Sequence, residues 1–123
     1  MAIRTVAELV IGVLYAIGAG HQALFTLRHS QEFYGDMADR AWLRPAEVFI
    51  EKLLVPNSVT VTVLVVAFQA AVAIAILTRG AAVGPALVAG GVFSIIGALT
   101  GSPAETIGYS VLAGIHFSLA SAR

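Results

Sequence analysis

Four stretches of the chain carry almost no charge, and very unequal polar breaks separate them. They cover about residues 3–27, 58–78, 81–100 and 105–121. Each reaches or nears the roughly 20 apolar residues that a helix needs to cross about 30 Å of hydrocarbon. Backbone groups in lipid must be satisfied within the segment, so these runs are expected as helices. The break "TRG" (Thr78–Gly80) is so short that the second and third runs must form an antiparallel hairpin. "GSPAE" (Gly101–Glu105) makes the same demand of the third and fourth. The pattern predicts an all-α membrane protein, a single up-down-up-down four-helix bundle over residues 1–123.

The break over residues 28–57 is different. It holds nine of the fourteen charged residues and is too long for an idle turn. Pro45 is placed to start a short helix, "PAEVFIEKLL", with Val48, Phe49 and Leu53 on an apolar side and Lys52 snorkelling. Phe33, Tyr34 and Trp42 suit a membrane interface. We expect one or two helical turns on the membrane surface, covering one mouth of the bundle. A solvated connector is the simpler alternative. Asn57 or Ser58 is positioned to cap the second span, and Pro85 lies in the first turn of the third.

Composition agrees with this pattern. Of 123 residues 59% are hydrophobic and 11% charged, and the mean hydropathy is +0.91. A soluble domain is nearer half apolar and a quarter charged. The formal net charge is zero, so nucleic-acid binding has no electrostatic footing. The absence of cysteine excludes disulfides, thiol catalysis and thiolate-bound metal. One Lys against six Arg, with abundant Ala, Gly and Val, suggests a GC-rich bacterial genome and hence a bacterial inner membrane. The first run continues too far for a signal-peptide core and is expected to be retained as a span. The positive-inside count is four bases against three and does not decide orientation; the termini are expected inside.

Helices in lipid associate through close approach at small residues. Four-residue stripes occur in every run: Gly12/Ala16/Gly20, Ala67/Ala71/Ala75, Ala82/Ala86/Gly90/Ser94/Ala98 and Ser110/Gly114/Ser118. These are the expected seams.

A charge inside a span is costly, so Glu8 is the first candidate for chemistry. On a helical wheel Glu8, Gly12, Tyr15, Ala19 and Gln22 fall within about 80°. His116 on the antiparallel fourth helix is expected at a similar depth, on one face with Tyr109 and Ala113. A Glu8–His116 pair would cost less than either group alone and could trade a proton near neutral pH. On that reading Tyr15, Gln22, Gln69, Tyr109 and His116 line a ligand or proton site with Glu8. The plainer reading places Glu8 at the headgroups, bridged to Arg4, with His116 in a structural hydrogen bond. His21 is expected to meet the long loop or its acids. The three histidines at 21, 29 and 116 divide between the two faces, so no metal site is expected. HExxH, Walker and GxSxG motifs are lacking, so a non-enzymatic role is expected and no catalytic residue or cofactor is assigned.

"GAGH" (Gly18–His21), the long amphipathic loop, and "AFQAAVAIAILTRGAAVGPALVAGGVFSIIGAL" (Ala67–Leu99) together resemble the DoxX-like family of small bacterial membrane proteins. "LTRGAA" (Leu77–Ala82) matches the family's turn and Arg4 its opening arginine, whereas Gln69 stands where a Glu is common. The resemblance implies four membrane helices and, for some members, a place in quinone-linked oxidoreductase complexes. It points to an accessory subunit or a binder of a small ligand, a quinone or a lipid. The partners implied are the bilayer, a second copy of the chain, or a redox complex. A glutamate in the first of four spans is also similar in outline to the small multidrug resistance transporters, where a carboxylate exchanges protons for a cationic substrate in a dimer. The long 28–57 segment and the shallow position of Glu8 depart from that pattern.

Overall fold

The computed structural model describes residues 2–123, and all of the regular structure among them is helical. Helix α1 spans Ile3–Leu24, α2 Ser30–Arg40, α3 Arg44–Phe49, α4 Ser58–Leu77, α5 Val83–Thr100 and α6 Pro103–Ser121. A 3₁₀ turn over Thr26–His29 joins α1 to α2, and a π turn over Ile50–Leu54 extends α3. Three helices, α1, α4 and α5, are long and apolar enough to cross a membrane. The fourth expected span, α6, has 19 residues but carries Glu105, Tyr109, His116 and several serines, and it is not among the three.

The helices pack mainly as two pairs, α1 along α4 and α5 along α6. Close contacts show each pair to be antiparallel. In the first, Gly12 meets Ile76 and Leu77, and Gly18 meets Gln69. In the second, Gly90 and Gly91 meet His116 and Phe117, while Gly97 meets Tyr109. Between the pairs Ile11, Tyr15, Val72, Ile76, Val83 and Leu87 form the main core.

The small-residue stripes are corrected in three of four cases. In α5, Ala86, Gly90, Ser94 and Ala98 are buried as expected, and only Ala82 is exposed. In α1, Gly12 is buried but Ala16 and Gly20 are exposed; Tyr15 and Ala19 turn inward beside Gly12. In α4, Ala67 and Ala71 face outward, and Thr62, Val72, Ala73 and Ile76 face the core. In α6, Ser110, Gly114 and Ser118 are all exposed, and the Ala113/His116 face is buried. The physical reason lies in the polar side chains. In α1 the buried Glu8 and Tyr15, and in α6 the buried His116, are held by partners on other elements, and turning them inward rotates the small-residue stripe of each helix outward.

Residues 28–57 are more ordered than expected. The sequence reading allowed one or two turns from Pro45, yet α2 adds three turns before it. Tyr34 and Ala38 of α2 pack on Ile50, with Met37, Leu54 and Val61 around them. Tyr34 is therefore buried within the protein. The buried side of the segment begun by Pro45 is Ile50, while Phe49 and Leu53 are exposed. Trp42 is exposed too, but its indole N–H donates to Thr106 Oγ1 at 2.8 Å and ties the α2–α3 link to α6. Neither expected cap of α4 is used: Asn57 Nδ2 donates back to Leu53 O, and Ser58 Oγ accepts from Ser30. The start of α6 does have a capping box, Ser102 with Glu105, after which Pro103 takes the first helical position.

A Cβ added at Gly90 would lie 2.6 Å from Tyr15 Oη and 2.7 Å from His116 Cδ2, whereas one at Gly114 meets nothing within 4 Å. Overpacking of this kind costs about 1–3 kcal/mol. Gly90→Ala is therefore expected to lower the melting temperature in detergent, and Gly114→Ala to leave it unchanged. Equal melting of the two variants would contradict the packing.

Candidate functional site

The six candidate residues divide into three places along the molecule. At the end that holds the chain termini, the side chain of Glu8 is wholly buried. Its partner is neither His116 nor Arg4. Arg79, in the α4–α5 turn, donates to Glu8 Oε1 at 2.7 Å. Arg123 donates to Oε1 at 2.8 Å and to Oε2 at 2.9 Å. Arg4 instead donates to the Ala122 carbonyl at 2.7 Å. Both sequence readings of Glu8 are thus corrected. The two guanidinium groups reach it from beyond the helix ends, where they stay partly exposed, while His116 lies level with Tyr15, further along α1. Arg79 has φ 59°, a left-handed conformation uncommon outside glycine, and from it the side chain reaches Glu8.

Further along α1 lies a polar bridge between α1, α5 and α6. His116 is fully buried. Its Nδ1 lies 2.7 Å from Leu112 O, and a carbonyl only accepts, so Nδ1 carries the proton. Nε2 then accepts from the Tyr15 hydroxyl at 3.0 Å. That hydroxyl also lies 3.2 Å from Gly90 O, to which Ser94 Oγ donates at 2.9 Å. Because Gly90 has no side chain, the two rings can meet edge-on against α5.

The remaining candidates line a cavity in the half of the molecule away from the termini. It measures about 480 Å³ and is bounded by all six helices or their extensions. Such a volume falls within the range of small-molecule sites. Gln22, Gln69 and Tyr109 project from α1, α4 and α6. Phe33, Met37, Val65, Phe93 and Ile96 supply apolar wall, while Arg40 and Glu105 bring one charge of each sign. The side-chain oxygens of Gln22 and Gln69 are buried and accept no hydrogen bond from the protein. An unpaired buried polar atom costs on the order of 1–3 kcal/mol, so two beside one cavity mark it as the site. Tyr34, on α2, is a further lining residue, and burial pushes its hydroxyl above the ordinary tyrosine range so that it stays a donor. A larger depression of about 590 Å³, lined by Arg28, His29 and Asn57 among others, is a wide surface cleft between the starts of α2 and α4.

No family model, curated protein or solved structure matches the chain. The site is therefore read from its geometry alone.

Two placements differ from expectation. His21 is exposed, and its ring lies against Phe25, 5.2 Å between centroids, not against the loop acids. Gln69, expected only as a further lining group, is central. Sequence reasoning did not single out Arg79, Arg123, Arg40 or Glu105. The first two were open to discovery, because a short turn after the second span and the end of the fourth must both fall beside Glu8. Among the described residues no group of three or more potential ligands is placed to hold a metal ion.

Removing one partner of a buried ion pair leaves the others uncompensated. Glu8→Gln is expected to lower the melting temperature in detergent clearly, and more than Arg4→Ala, whose guanidinium bonds only a carbonyl. A neutral Glu8→Gln variant would contradict the clamp.

Proposed function

We propose that the chain is a multi-pass protein of a bacterial inner membrane, a DoxX-like bundle in which α1, α4, α5 and α6 cross up, down, up and down. In this reading the charged α2–α3 segment lies at the interface as a cap, and the termini and the Thr78–Gly80 turn lie inside. The protein binds a small lipophilic ligand, a quinone or a lipid, and serves as an accessory subunit rather than as an enzyme. One observation carries the proposal: an apolar-walled cavity holds two buried carboxamide oxygens that the fold leaves unpaired. The unpaired oxygens accept, so the ligand that satisfies both features has an apolar body and a polar end that donates, as the reduced form of a quinone or a lipid with a hydroxyl or ammonium headgroup does.

Proton-coupled transport through Glu8 in an oligomer is a second reading. It draws on the complete burial of that carboxylate. Against it, both Glu8 oxygens already accept from arginines, at the end away from the cavity.

Gln69→Leu tests the first reading. It removes a carboxamide oxygen that the fold does not use, so the melting temperature is expected to hold or rise. Losing one hydrogen bond worth about 1.4 kcal/mol weakens binding roughly tenfold. Native mass spectrometry of the purified protein should accordingly show a retained lipophile that the variant loses. Equal retention by both proteins would overturn the proposal.

A further inference from the structure

The cavity is not walled alike on every side. The α2–α3 segment covers it, and Phe68 and Phe93 stack across α4 and α5 with centroids 5.0 Å apart. Tyr15, of the Tyr15–His116 bridge, lines not this cavity but a smaller hollow next to it. Between α1 and α6, by contrast, the helices do not pack along their length, because each is committed to its own partner. That smaller hollow, of about 130 Å³, lies there. Its outer rim is Leu14 of α1 and Leu112 of α6, and it shares Gln69, Phe93 and Tyr109 with the cavity. Leu14 is 54% exposed on the outside of the molecule.

Depth decides what can use such an opening. Leu14 lies eleven positions beyond Ile3 in a helix of 22 residues, so the rim sits near the middle of the span. At 1.5 Å per residue that is about 16 Å from the end of α1, at the level of acyl chains and away from headgroups and water. Both rim residues are apolar, while Gln69 and Tyr109 stand just behind them. The cavity is too small for a polar group and a long chain together.

We propose that the gap between Leu14 and Leu112 is a lateral portal, and that the ligand is a chain-bearing lipid that enters from the bilayer. Its polar end sits among Gln22, Gln69 and Tyr109, and its hydrocarbon chain leaves between α1 and α6. This rests on the cavity being the binding site, and it adds the route and the tail.

The test uses the full chain in vesicles of phosphatidylethanolamine, a fraction of which carries a diazirine midway along one acyl chain. After illumination, adducts are mapped by mass spectrometry. Adducts are expected on Phe93 behind the portal and on the outward-facing Ile107 and Val111. Leu14→Trp with Leu112→Trp should plug the gap and abolish the Phe93 adducts, leaving those on Ile107 and Val111. Leu112→Phe, a smaller plug, serves if the double variant melts early. Phe93 adducts that persist in a folded, plugged variant would overturn the portal, as would their absence from the unaltered protein. Retention of a lipophile, measured on the same samples by native mass spectrometry, reports separately on the cavity.

Discussion

A carboxylate without water must be held by partners, and Glu8 finds its partners at the ends of other elements. Arg79 comes from the turn that links the two helix pairs, and Arg123 from beyond the end of α6. The clamp therefore gathers α1, the α4–α5 connection and α6 at one end of the molecule. Further along, Tyr15 and His116 make a second tie. Beyond them the Phe68–Phe93 stack still joins α4 to α5, and the cavity lies among the ends of the helices away from the termini. The α2–α3 segment then has a definite task, to close that end, and Trp42 fastens it to α6.

The four long helices were legible in the sequence to within a few residues, because their length and apolarity can be counted. Their rotation about their own axes was less so. Small-residue stripes predict facing sides only where no polar group competes. In α5 the sole inward polar residue of the stripe, Ser94, belongs to it, and the prediction holds. In α6 the stripe and the Tyr109/Ala113/His116 face lie on different sides, and only contact with Tyr15 settles which turns inward. The same holds for α1, where Glu8 and Tyr15 override Ala16 and Gly20.

The site was legible as a set of residue types and less so as an arrangement. Gln22, Gln69 and Tyr109 are polar intrusions in apolar helices, and such residues in lipid face protein or cavity. The Glu8–His116 pair fails because counting residues from the helix ends puts the two at one depth, whereas His116 lies level with Tyr15, seven residues further along α1; the arginines just outside the spans entered only the count for orientation. Helix α2 was missed because its charged surface hides a short apolar face, Tyr34 and Ala38, whose partner Ile50 lies after a break of several residues. A capping box at Ser102 was readable from the spacing alone, yet its glutamate also borders the cavity, which spacing cannot reveal.

The conformation of Arg79 restricts what this position can become. A glycine would suit the left-handed backbone but has nothing to extend towards Glu8. A lysine would keep the charge but give up the planar fork of donors that lets a guanidinium share a carboxylate with a neighbour. Asparagine would suit the backbone but is too short and carries no charge, and most other side chains would retain the strain and lose the contact. The tight link between the two halves of the protein is thus narrowly specified by a single side chain, although it lies at the surface in a connecting segment, where variation is ordinarily cheapest.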